Sequence, residues 1–382
     1  MHILAAVVGL ALIVLILVDG FAAMILPRRL TWIYRPTRLF YRALWPLWSE
    51  VGRLLKGKRR ANFLAVFGPL SMLGLFTVWV LGLIVGFALL HAALASPVNG
   101  PTGEQGSFPT YLYLSGVTFF TLGYGDVTAA SAFGRLLTVV EAGMGFGFLA
   151  VVIGYMPVLY QAFSRREVGI SLLDARAGSP PSAGQLLLRL ARAGAGATGA
   201  APLLAEWERW SAELLESHLS FPVLSYYRSQ HDNQSWLAAL TACLDTCALL
   251  LTGAPDGELY QARLTFAMAR HAAVDLALLF QARPLAPNPD RLSPERLARL
   301  RAALREAGLT PRDDRAADDR LTELRVLYEP FVNALARHLL FDLPPVWPET
   351  EPVDNWQTSA WTRRAAGIGD LPPPDPRDDH AE

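Results

Sequence analysis

Three apolar runs constrain this chain more than anything else in it, because each is at least as long as a bilayer core is thick. They extend from about Ile3 to Leu26, Phe63 to Ala93 and Phe133 to Tyr160, against the roughly 20 residues that a helix needs to cross the hydrocarbon. The second exceeds that length, so it is expected to tilt or to continue past the hydrocarbon. The first begins almost at Met1, without a basic stretch before it or a small-residue cleavage site after it, which favours a retained span over a cleaved signal peptide. With 382 residues, 52% of them hydrophobic, and no formal net charge, the chain has room for a membrane part and a separate domain.

The charges are unevenly placed. Arg28, Arg29, Arg35, Arg38, Arg42, Arg53, Lys56, Lys58, Arg59 and Arg60 lie between the first and second runs, opposed there by Glu50 alone. Basic residues are retained on the cytoplasmic side, so the linker 27–61 is expected inside and the N-terminus outside. The stretch from Ser96 to Thr110 has no basic residue and is expected outside; Arg165 and Arg166, after the third run, return the chain to the cytoplasm. Trp32, Tyr34, Tyr41, Trp45 and Trp48 are interleaved with the linker arginines. The linker therefore reads either as an amphipathic cuff along the inner membrane face or as a short cytosolic connector. The first run carries no periodic arginines, so it is an anchor or a peripheral packing helix rather than a voltage sensor.

Between the second and third runs stands Thr121-Leu122-Gly123-Tyr124-Gly125-Asp126. A cation leaving water must exchange its hydration shell for groups of comparable strength, and rings of backbone carbonyls supply them without a full charge. Turning successive carbonyls the same way requires the backbone to alternate with the left-handed region, which glycine enters without steric cost. Gly123 and Gly125 stand where that alternation is needed. Thr121 can add a ring of hydroxyls at the inner end, the side chains of Leu122 and Tyr124 must turn away and pack against surrounding protein, and Asp126 closes the outer mouth.

On these residues the chain resembles the pore domain of the potassium-channel family, of the bacterial two-transmembrane, pore-loop type. The resemblance covers roughly residues 62–162. Ser115, Thr118 and Thr121 match the usual Ser and Thr positions of the pore helix and filter entrance, Gly134-Arg135 the start of the inner helix, and Gly145 the position of a gating-hinge glycine. Three departures stand out: Leu122 for a Val or Ile, Val117 where some relatives carry a Glu that pairs with the mouth Asp, and Tyr113 where many carry a Trp. The resemblance implies a homotetramer, since one filter strand encloses nothing, with K+ held by the backbone carbonyls of Thr121, Leu122, Gly123 and Tyr124. A re-entrant pore helix is expected over 108–120, with Pro109 in its first turn, where a missing amide costs nothing. Tyr113, Ser115, Thr118 and Glu141 are the candidate supports of the filter.

In the third run Gly143, Gly145 and Gly147 mark either a bending point or a packing notch. Alignment with the family favours Gly145 as the hinge. Glu141 is costly in hydrocarbon and is a functional candidate by default. It is expected to face the back of the pore helix and to hydrogen-bond Ser115 or Thr118, either as a structural acid or as a proton-sensitive link to the filter.

Beyond Ser164 the apolar residues recur every three and four positions up to about Leu340, which calls for a helical cytosolic domain over 163–341. Breaks are expected at Gly178 to Gly184, Gly194 to Pro202, Gly253 to Gly257 and Pro284 to Pro289. Helices are expected around Trp207 to Leu219, over Trp236 to Leu251 and over Leu259 to Phe280. Two charged helices with solvated faces or subunit contacts are expected at Arg291 to Arg305 and Arg312 to His338. Gly194 to Gly199 follows a helical run rather than a strand, so it reads as a linker and not as a nucleotide loop. Cys243 and Cys247 read as reduced, buried thiols. The polar-aromatic set from His218 to Asp232 suits a small ligand pocket, a subunit contact or plain structure. No nucleophile, base and orienter can be assembled, so no enzyme is expected. The tail 342–382, rich in Pro and acid and containing Asp378 and Asp379, is expected to be disordered.

The sequence thus calls for an all-α integral protein of the inner membrane: a span over 1–26, a basic linker, and a pore-loop domain with spans 63–93 and 133–160 and filter 121–126. A cytosolic helical domain follows, which an unidentified small molecule or protein could regulate. The expected activity is passive K+ conduction without a cofactor and without a nucleic-acid partner. The alternatives are a membrane-anchored sensory or scaffold protein with a vestigial pore and a less selective cation channel.

Overall fold

The computed structural model describes residues 2–26, 35–100, 106–195, 199–231, 233–253 and 260–348. The chain divides into two compact units, one made of residues 1–54 and 66–161, the other of 55–65 and 162 onward. The first unit contains α1 (His2–Met24), α2 (Pro36–Leu54), most of α3 (Gly57–Ala93), β1 (Val98–Asn99), α4 (Phe108–Phe119), β2 (Thr128–Ala129) and α5 (Ala132–Ala177) as far as Gln161. α1, α3 and α5 are each long and apolar enough to cross a membrane.

Missing side chains let α1 approach α3. A Cβ at Gly9 would lie 2.7 Å from the Gly86 carbonyl oxygen, one at Gly86 would lie 2.7 Å from Ile13 Cγ1, and one at Gly82 would overlap Ile16. Gly82 and Gly86 are four apart, the small-residue spacing that apolar helices use to pack without a hydrophobic drive between them. The polar end of the same contact is Asp19, which is buried. Its carboxylate accepts from Arg35 Nε at 3.0 Å, from the Thr37 amide at 2.8 Å and hydroxyl at 2.6 Å, and from Trp79 Nε1 at 3.0 Å. One acid thus caps the first turn of α2, pairs with the arginine that precedes it and ties both to α3. α2 continues along α3 with Trp45 and Trp48 against Phe67, at ring separations of 4.8 and 5.6 Å. Its other flank leaves Leu39, Leu47, Val51 and Leu54 exposed. Arg28, Arg29, Trp32 and Tyr34 lie outside the described residues.

The first unit departs from the all-α expectation in one place. β1 and β2 pair antiparallel, Val98 with Ala129 and Asn99 with Thr128. The segment leaving α3 and the segment returning to α5 run side by side there, and their backbone groups pair with each other rather than stay unsatisfied.

The second unit is built from the end of α5, α6 (Ala183–Arg192), α7 (Ala200–Ser220), a 3-10 turn (Pro222–Tyr226), α8 (Trp236–Gly253), α9 (Tyr260–Leu279), α10 (Pro294–Glu306), α11 (Arg315–Val326) and α12 (Glu329–Leu339). α8 is apolar enough to span a membrane, but nearly all of it is buried inside this unit. It packs on α9, α11 and α6, and α7 packs on α9. Cys243 and Cys247 lie buried and unlinked on α8. Residues 196–198, 254–259 and Asp232 fall outside the described residues.

Four expectations are corrected here. The third apolar run ends near Tyr160, but its helix continues to Ala177. The segment from Arg312 to His338 is two helices rather than one. They break at Leu327-Tyr328, just before Pro330, whose missing amide suits the first turn of α12. The break turns the fully buried Tyr328 inward, where its hydroxyl donates to Asp245 Oδ1 at 2.5 Å, and burial pushes that hydroxyl well above its ordinary range. Arg291 does not sit on a solvated helix. It is buried before α10, paired with Asp245 and Glu329, and donates from Nε to the Pro344 carbonyl at 3.0 Å. The start of the tail is docked as well: the Gly184 amide donates to Val346 O at 2.9 Å and Val346 is buried. Residues 349–382, with Asp378 and Asp379, lie outside the described residues.

Asp19→Ala removes the acceptor for four donors, and breaking a buried pair of this kind typically costs about 3 kcal/mol or more. Thermal melting of the detergent-solubilised chain should show a large fall for Asp19→Ala and a smaller one, on the order of 1–2 kcal/mol, for Trp79→Phe.

Candidate functional site

α4 is held in the first unit from its start. Ser107 precedes it in extended conformation, and Pro109 occupies its first turn. The Tyr111 hydroxyl donates to the Ser96 carbonyl at 2.9 Å, its ring stacks on His91 at 6.2 Å, and Leu114 packs with Ala88 and Val98. At the other end the chain wraps tightly over the last turn: the Thr121 amide donates to Thr118 O and the Leu122 amide to Val117 O, each at 2.9 Å.

From that wrap the backbone alternates. Thr121, Gly123 and Gly125 have φ of +55°, +58° and +79°, and Leu122 and Tyr124 between them do not enter the left-handed region. Glycine takes such values freely, but threonine is β-branched and pays about 1–2 kcal/mol there. A strained β-branched residue in a short loop is the kind of outlier that marks a functional position. Every residue from Thr121 to Asp126 is exposed in the single chain, Tyr124 at 69%. The surrounding protein expected to pack Leu122 and Tyr124 is therefore not supplied by the same chain. Asp126 is held from behind: the Tyr113 hydroxyl donates to its Oδ2 at 2.9 Å. Tyr113 thus reaches Asp126, and Val117 is buried in α4.

Glu141 on α5 is fully buried with Ser115 as its polar neighbour. Ser115 is the hydrogen-bonding neighbour of Glu141, as expected for one of the two candidates, though the contact falls short of ordinary hydrogen-bond geometry. The helices meet one turn further on. There a Cβ at Gly145 would overlap the Phe119 carbonyl oxygen. Gly145 therefore occupies a packing notch in an unbroken α5, whereas nothing lies within 4 Å of a Cβ at Gly143 or Gly147.

Asp19 and the Gly82, Gly86 pair were not singled out in the sequence. Both carried a signal: an acid within an apolar run demands a partner, and glycines four apart demand a neighbouring helix. Among the described residues no group of His, Cys, Asp or Glu is arranged to hold a metal ion. The polar-aromatic set from His218 to His231 does not line the cavity of about 100 Å3 in the second unit, whose wall is mainly leucine from α6, α8, α10 and α11.

A family model described as ion channel matches residues 74–161. The uncharacterized membrane protein YdjJ of Bacillus subtilis (strain 168) is 25% identical over 231 residues, which are 56% of this chain and 66% of that protein, just under two thirds of its length. Protein LctB of Bacillus caldotenax is 31% identical over 93 residues, 22% of this chain and 69% of its own. Protein LctB of Geobacillus stearothermophilus is 32% identical over 95 residues, 21% and 70%. No solved structure matches the chain.

Gly145→Ala and Gly147→Ala separate packing from flexibility, since both lose the same glycine. Gly145→Ala should weaken the first unit by roughly 1–3 kcal/mol through overpacking. Gly147→Ala should be neutral or slightly stabilising in the same thermal melt.

Proposed function

The chain belongs to the ion channel family, and from that premise we propose that it conducts potassium selectively and passively across the membrane as a homotetramer. The observation that carries this reading is the alternation of φ at Thr121, Gly123 and Gly125. In an alternating backbone successive carbonyls face one side, and a ring of such strands replaces the hydration shell of a cation the size of K+. Several copies are needed, because one strand encloses nothing, and the resemblance to the potassium-channel family implies four. The exposure of Leu122 and Tyr124 in the single chain supports that assembly, since neighbouring copies would cover them.

In this reading α3 is the outer helix, α4 the re-entrant pore helix and α5 the inner helix. Thr121 to Tyr124 supply the carbonyls, and Asp126, held by Tyr113, sets the outer mouth. The negative end of α4 favours a cation below the filter. Gly145 serves as the point where α5 bears on the base of α4. The N-terminus lies outside and the second unit in the cytoplasm, as the linker arginines favour. α2 lies along the inner face, with Leu39, Leu47, Val51 and Leu54 toward the acyl boundary and Arg38, Arg42 and Arg53 toward headgroups.

Reconstitution with a flux assay tests the proposal. Wild-type vesicles should take up K+ far faster than Na+, and Gly123→Ala, which forces a Cβ into the left-handed region, should lose that flux. Undiminished K+ uptake by a folded Gly123→Ala chain would remove the filter from the mechanism.

A further inference from the structure

The first turns of α3, residues 57–65, and the last turns of α5, residues 162–177, both belong to the second unit. We propose that the segment from Pro222 to Arg228, through the end of α12, links these two helix ends and so lets the second unit set the conduction state. The inference rests on the channel reading and assigns it a coupling element.

The α5 side of the clamp is Arg166, a buried arginine where the sequence calls for a flanking charge at the membrane. Its Nη1 donates to Leu224 O at 2.9 Å and its Nη2 to Tyr227 O at 3.0 Å. Its own carbonyl accepts from Trp210 Nε1 at 3.1 Å, and a Cβ at Gly169 would overlap that indole, so this part of α5 is tied to α7. The Phe163 ring lies 5.8 Å from Tyr227 and 5.0 Å beneath the Arg166 guanidinium.

The α3 side begins one residue after Tyr227. Arg228 Nη2 donates to Leu339 O at 2.5 Å and Nη1 to Leu340 O at 3.2 Å, while its guanidinium stacks on Phe341 at 3.9 Å. Leu340 ends α12 in the left-handed conformation, so its carbonyl is free of the helix and open to cations. Arg60 of α3 reaches the same carbonyl at 3.5 Å. The ring closes through aromatic groups: Phe341 meets Trp236 edge-on at 5.8 Å, Trp236 meets His218 at 5.1 Å, and His218 Nε2 lies 3.4 Å from Arg166 Nη1. Trp236 also donates to the Ser225 carbonyl at 3.3 Å. Arg166 thus grips two carbonyls of the turn, and Arg228, at its end, grips the carbonyls at the end of α12 that Arg60 also reaches. Arg166 and Arg228 each make bidentate contacts that a lysine cannot reproduce. His218, Tyr227 and Arg228 of this ring belong to the polar-aromatic set that stood unassigned in the sequence.

The test measures geometry and conduction separately in the full chain. Spin labels at Lys56→Cys and Arg165→Cys, with Cys243→Ser and Cys247→Ser and dilution by unlabelled chain, report the separation of the two helix ends. A narrow distance distribution in the parent chain should broaden in Arg228→Ala, and K+ flux should change at least about fivefold, the usual lower bound for coupled sites. The preference for K+ over Na+ should stay unchanged, because the filter is untouched. Should Arg228→Ala not fold, Arg228→Lys carries the same expectations at smaller amplitude. A folded variant with an unchanged distribution overturns the clamp, and a broadened distribution with unchanged flux overturns its regulatory role. Absence of K+ flux from the unmutated chain would fall on the proposed function instead, and the distance measurement does not depend on it.

Discussion

Polar backbone groups in hydrocarbon must find partners, and residues 121–126 lie outside any helix or strand between two membrane-length helices. In a membrane, irregular backbone is tolerated where it is buried in protein or lines a water-filled path. The rest of the first unit follows from that requirement. The β1–β2 ladder closes the base of the loop, the tight wrap after α4 launches it, Tyr113 fixes its acid, and Gly145 brings α5 against the carbonyl of Phe119. The loop is exposed on every residue of the single chain, and in the proposed channel an ion, water and further copies would be its partners.

The same rule explains the N-terminal part. Asp19 is tolerated near the end of an apolar helix because four donors converge on it, and those donors join α1, α2 and α3. Glu141 is the contrasting case: it is equally buried, but its one polar neighbour is Ser115, at less than ordinary hydrogen-bond geometry. Burying an acid with so little compensation costs free energy.

Much of the first unit is legible because its signals are local. Apolar length gives α1, α3 and α5, Pro109 marks the start of α4, and glycines two apart announce the alternation at Gly123 and Gly125. Thr121 shows the limit, since its left-handed φ follows from the wrap over Thr118 and not from its own preference. Partners distant in sequence are harder to read. Asp19 and Trp79 are 60 residues apart, and nothing in either run names the other. In the second unit, helices were legible from their period, but charge misled. Arg166 and Arg291 look like surface residues until Leu224, Tyr227, Asp245 and Glu329 are brought to them. Tyr328 breaks a helix that the charge pattern alone would continue, because its hydroxyl reaches an aspartate on α8.

The central claim is that Thr121 to Tyr124 select potassium, and a reversal potential measures selectivity without reference to assembly or regulation. A planar bilayer containing the full chain, with K+ on one side and Na+ on the other at equal concentration, should give a current that reverses far toward the K+ equilibrium potential. A reversal potential near zero, with clear channel currents, would show that the loop does not discriminate between the two ions and would contradict the filter.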